Sequence, residues 1–140
     1  MAARTTVTWS EGMGFDVELD GHTFTIDAGE RFGGKNRGPR PKNLLLSALA
    51  GCTGMDVVSL LGKMKVPFDG FRLEVEGKVC DDHPKVYTDI AIRYIFTGSQ
   101  LDRDKIDKAV TLSLDKYCGV TAMLGKTARI SHEIVLNPSA

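Results

Sequence analysis

Residues 43–64, NLLLSALAGCTGMDVVSLLGKM, constrain the fold of this chain more than any other stretch. Leu44, Leu45, Leu46, Leu49, Met55, Val57, Val58 and Leu61 fall on nearly every side of a helix, and a helix apolar all round is expected to be buried. Pro41 suits the first turn, where its missing N–H costs nothing, and Val66-Pro67 ends the segment. At 1.5 Å per residue it runs roughly 33 Å, enough to cross a small domain. Cys52 and Asp56 lie one turn apart on one face of this helix.

The flanking segments have a different period. Between residues 3 and 27, TTVTW is followed by Phe15, Val17 and Leu19 alternating with polar neighbours, then by Phe24 and Ile26 after the turn at Asp20-Gly21. This predicts a hairpin or a three-strand meander. Residues 29–42 hold four glycines and two prolines and are expected to form a loop. Residues 70–97 alternate strongly about the turn CDDHPK and predict a long antiparallel hairpin. A second, amphipathic helix is expected from Leu101 to Tyr117, a short helical turn over GVTAML, and a closing strand over TARISHEIVLN. The order βββ-α-ββ-α-α-β is that of an α+β domain built on a central buried helix, with residues 1–140 as one domain.

Composition narrows the classes of function. Eighteen basic residues balance eighteen acidic ones, so the molecule as a whole has no electrostatic attraction for nucleic acid or an anionic membrane. The first residues, MAARTTVTWSEG, lack the apolar run of a secretory signal, and no stretch reaches the about 18 consecutive apolar residues of a membrane span. The expected compartment is the cytoplasm. Cys52, Cys80 and Cys118 form no CxxC, and His22, His83 and His132 form no HxxH, so neither a metal nor another cofactor is expected.

Chemistry is then carried by the cysteines and by local charge. Cys52 reads as a core thiol packed like a small hydrophobe, or as a reagent. The carboxylate of Asp56 bears on that choice, because in so apolar a helix it needs a partner or a wet cavity beside the thiol. Reactivity requires thiolate, and three turns into a helix the dipole helps little, so a cation must come from elsewhere. Arg31, Lys35, Arg37, Arg40 and Lys42 bring five positive charges within twelve residues, either as a solvated loop or as that cation. Cys118 precedes Gly119, where the backbone can bend, and would approach Cys52 if the second helix packs on the first. Cys80 stands beside Asp81 and Asp82, whose charge disfavours a thiolate, and no catalytic role is expected for it.

Taken together, GPRPKNLLLSALAGCTGMDVVSLLGKM and KYCGVTAMLGKTARI, with WSEGMGF and GHTFTID near the start, resemble the OsmC/Ohr family of thiol-dependent peroxidases over nearly the whole chain. The pattern is closer to the OsmC-like branch than to the organic hydroperoxide resistance branch. The resemblance implies an intertwined homodimer, its antiparallel sheets wrapped around the long central helices, with a site at each subunit interface. It implies Cys52 as the peroxidatic thiol and Cys118 as the resolving one. Asp56, Met55 and Leu49 are then expected around an organic hydroperoxide, and a dithiol such as a dihydrolipoyl protein as the reductant. The family commonly uses an activating Arg held by a Glu in the first turn of the central helix. Here Lys42 and Asn43 stand at that turn and SEGMGFDV holds no Arg, so Arg37 or Arg40, from this chain or its partner, is the expected substitute. A non-enzymatic apolar-ligand module and a redox sensor on the same fold are the other expectations.

Overall fold

A computed structural model describes residues 1–139. The chain divides into two compact units, Met1–Leu45 and Leu46–Ala140.

The first unit is a meander of β1 (Thr5–Trp9), β2 (Phe15–Leu19) and β3 (His22–Ile26), paired antiparallel in the order β1-β2-β3. Asp20 and Gly21 both take positive φ, 52° and 79°, as a two-residue turn closing on the Leu19–His22 pair requires. The register aligns Val7 with Val17 and Val17 with Phe24, and Trp9 with Phe15 and Phe15 with Ile26, so these side chains share one face. Thr8, Asp16 and Thr25 share the other. Val7, Trp9, Leu19 and Phe24 stay exposed on the apolar face, Trp9 at 61%.

The loop that follows is organised by Asp27, which is buried. Its carboxylate accepts from the backbone N–H of Ala28 at 2.7 Å, from those of Lys35 and Arg37 at 3.2 Å, and from Arg37 Nε at 3.3 Å. Burial pushes the Asp27 carboxyl up, but those N–H groups and the guanidinium outweigh it and hold it below its ordinary value. Asp27 thereby fixes the path of the basic segment.

The second unit holds most of helix α1 (Leu44–Lys63), a sheet of β4 (Gly70–Val79), β5 (Tyr87–Thr97) and β6 (Arg129–Leu136), and helices α2 (Arg103–Leu112) and α3 (Gly119–Leu124). The sheet order is β4-β5-β6, antiparallel between β4 and β5 but parallel between β5 and β6, so it is mixed where only antiparallel pairing is expected. β5, with a neighbour on each side, buries Ile90, Ile92, Tyr94 and Phe96 on one face at period two. On the opposite face Arg93 spans three strands, donating to Glu74 at 2.6 Å and Glu133 at 2.7 Å. α2 starts at Asp102, whose carboxylate accepts the Lys105 N–H, and it buries Ile106, Ala109 and Val110.

The second helix runs on to Tyr117, its last five residues, Ser113–Tyr117, winding as a π turn ahead of Cys118. One expectation about the helices needs correction: α1 is not buried all round. Its buried residues Leu49, Thr53, Gly54, Val57 and Leu61 form one stripe along the core, while Leu45, Met55 and Val58 are exposed, Met55 at 76%. Gly54 allows close approach to β4, since a Cβ there would lie 3.1 Å from Leu73 Cδ1. By length and mean hydropathy, 1.8 over its most apolar stretch, α1 would suffice to cross a bilayer. Its packing stripe and Asp56 instead serve the core and the site described next.

Candidate active site

At 3.6 residues per turn, Cys52 and Asp56 fall on one edge of the buried stripe of α1 and are half-buried there. The π turn brings Cys118, 3% exposed, to the same place. Cys52 Sγ, Cys118 Sγ and a carboxylate oxygen of Asp56 all lie within 4.8 Å of one another. The approach left conditional in the sequence is therefore present in the fold.

The Thr121 N–H donates to Cys118 Sγ at 3.3 Å, Cys118 capping α3 with its own side chain. The balance at Cys52 favours the thiol. Burial pushes it up from its ordinary value, Val120 pulls it down, and the Cys118 thiol and the Asp56 charge push it further up. Thr121 Oγ1 is buried without a hydrogen-bond partner among the described residues.

A chain of hydroxyls runs from Asp56 into the core. Ser113 Oγ donates to Asp56 Oδ2 at 2.9 Å, Thr53 Oγ1 lies 2.7 Å from Ser113 Oγ, and the Tyr94 hydroxyl lies 2.8 Å from Thr53 Oγ1. Each hydroxyl has one proton, so spending that of Ser113 on Asp56 fixes the rest: Thr53 donates to Ser113, and Tyr94 to Thr53. Tyr94, Thr53 and Ser113 are fully buried, and burial pushes the Tyr94 hydroxyl up to about 12. The result is a line of hydrogen bonds of fixed direction, ending on the carboxylate beside the thiols.

The other expected residues are distributed differently. Met55 lines a shallow apolar groove of about 510 Å³ with Gly51, Gly54, Val58, Phe71 and Leu73. Leu49 is fully buried in the core, away from that lining. Arg37 and Arg40 belong to the first unit and are engaged there, Arg37 with Asp27, Glu11 and Ser10 and Arg40 with Asn36 Oδ1 and the Gly38 carbonyl. Cys80, on the hairpin turn, donates to the carbonyls of Asp82 and Pro84. Thr53, Tyr94, Ser113 and the amides of residues 120 and 121 were not anticipated. Thr53 and Tyr94 left a readable trace, being hydroxyls at positions whose period marks them as core.

The model of the family described as OsmC-like protein matches residues 33–133. Protein YhfA of Escherichia coli (strain K12) is 32% identical over 127 residues, covering 90% of this chain and 92% of its own. A solved structure of a hypothetical protein from Aquifex aeolicus VF5 has a TM-score of 0.83 at 27% identity, covering 99% of both chains. An organic hydroperoxide resistance protein OsmC from Legionella pneumophila has the same fold, with a TM-score of 0.70 at 11% identity over 96% of this chain and 97% of that one.

Proposed function

Because this chain belongs to the OsmC-like protein family, we propose that it is a cytoplasmic thiol peroxidase that reduces organic hydroperoxides, and hydrogen peroxide less well. The observation that carries this reading is the meeting of Cys52 and Cys118, 66 residues apart in sequence, within 4.8 Å on a helix edge rich in apolar side chains.

The chemistry follows from two sulfurs in reach of each other. Cys52 thiolate attacks the distal oxygen of ROOH, the O–O bond breaks, and the alkoxide takes a proton and leaves as alcohol. Cys52 is then a sulfenic acid. The Cys118 sulfur attacks the Cys52 sulfur, a disulfide forms, and hydroxide leaves as water after protonation. An external dithiol, of the dihydrolipoyl type, returns both thiols. The Val120 amide favours the attacking thiolate, and Arg37 or Arg40 of a second copy is the proposed cation. Met55 and its groove receive the apolar part of the peroxide, and Leu49 supports them from the core.

Assembly as a homodimer belongs to the same proposal. The exposed edge of α1 and the apolar face of the first sheet are two surfaces that a second copy would cover.

Mixing the reduced protein with cumene hydroperoxide, and separately with hydrogen peroxide, tests the activity directly. Fast, organic-selective oxidation to a Cys52–Cys118 disulfide is expected. Cys52→Ser should consume no peroxide, and Cys118→Ser should complete one turnover and stall. Full turnover by Cys52→Ser overturns the assignment. The raised Cys52 thiol favours a second reading, an apolar-ligand module with an inert cysteine. Lipid extracted in stoichiometric amount from protein whose Cys52 resists alkylation at neutral pH would select it.

A further inference from the structure

We propose that the reduced protein binds one thiophilic divalent cation, of which Zn²⁺ is the type, through Cys52, Cys118 and Asp56. The three donor atoms already lie within 4.8 Å of one another. Tetrahedral zinc takes sulfur at about 2.3 Å and carboxylate oxygen at about 2.0 Å, which places neighbouring donors about 3.5 to 3.8 Å apart. Contraction by about an ångström gathers them, within reach of side-chain rotation at the two thiols.

The donor set and its surroundings have the chemistry of such a site. Two thiolates with one carboxylate suit zinc or cadmium rather than magnesium or calcium. Ligating carboxylates are themselves hydrogen-bonded, and Asp56 is held by Ser113 at the end of a buried hydroxyl chain. Cys118 Sγ accepts from the Thr121 backbone N–H at 3.3 Å. With both thiols deprotonated, three negative groups would crowd one spot, and a divalent cation turns that repulsion into attraction. The ligands come from α1 and from the segment after the π turn, so no local spacing announces them. Three protein ligands leave the fourth position of zinc open.

Binding replaces two S–H protons by the metal, releases both to solvent and moves no electrons. It engages the lone pairs that would attack a peroxide. The consequence for regulation rests on the peroxidase reading: the metal shields the thiol pair, and two-electron oxidation to the disulfide ejects the metal. Binding itself does not depend on that reading.

The test uses reduced, chelator-stripped, full-length protein. Zn²⁺ is titrated against a chromophoric chelator, and Cd²⁺ is titrated while its thiolate charge-transfer absorption is followed. One ion per chain and two protons released per ion are expected. Asp56→Asn should weaken binding by at least about 10-fold, a direct ligand mattering no less than the outer partners whose loss costs that much. Cys52→Ser and Cys118→Ser should weaken it further, the disulfide form should not bind, and Cys80→Ser should match the parent. No saturable binding at micromolar Zn²⁺, binding that survives oxidation, or loss of binding in Cys80→Ser overturns the proposal. The oxidised protein needs no substitution, so the outcome does not hang on whether a variant folds. Peroxide consumption by the metal-free protein, run alongside, distinguishes failure of this proposal from failure of the peroxidase reading.

Discussion

Cys52 and Asp56 oppose each other electrostatically as much as they collaborate. Burial first, and the neighbouring charge among the further causes, hold the metal-free Cys52 thiol above its ordinary value. Below its pKa the thiolate fraction, and with it the rate of alkylation, rises about tenfold per pH unit. Asp56→Asn removes a negative charge without removing volume, so the thiolate is less opposed, the pKa falls, and alkylation at pH 7 quickens. A pH profile of iodoacetamide modification that moves to higher pH in Asp56→Asn would contradict this reading of the site. The i, i+4 relation of Cys52 and Asp56 was legible because helical periodicity is local. The arrival of Cys118 was legible from the residues only as a conditional, and otherwise through the family resemblance, because it depends on how the end of the second helix, with its five-residue π turn SLDKY, packs on the first.

At the scale of elements, Thr53 is the point where α1 is tied both to β5, through Tyr94, and to the π turn, through Ser113. Thr53→Val keeps the shape and removes both bonds, leaving two buried hydroxyls short of a partner, each worth about 1 to 3 kcal/mol. Urea unfolding should show a lower midpoint with an unchanged slope, a loss of about 2 kcal/mol or more. A midpoint within error of the parent would mean that the network does not fasten these elements. The three strands of the first sheet, the β4–β5 hairpin and α1 all follow from period and punctuation, because alternation and Gly, Pro or Asp-Gly breaks are written within a few residues. The parallel seating of β6 on β5 is a long-range pairing, and its alternating sequence is equally compatible with an antiparallel neighbour.

For the molecule as a whole, the mismatch on α1 is the informative one. Its residues are apolar all round, yet the chain buries only one stripe of them. In the proposed dimer a second copy would cover the rest of that apolar surface. Met55→Asp combined with Val58→Asp places charge on the exposed edge and should convert a dimer to a monomer of 15.2 kDa in sedimentation equilibrium. A parent protein that already sediments as a monomer at micromolar concentration would remove the dimer from the proposed function. The order in which the strands are synthesised has a further consequence. β6, made about thirty residues after β5, covers one hydrogen-bonding edge of β5, a strand dense in isoleucine and aromatic residues. A nascent or truncated chain lacking residues 129–136 would present that edge as a template for any extended segment it met. Solubility during synthesis therefore depends on how soon β6 closes the sheet.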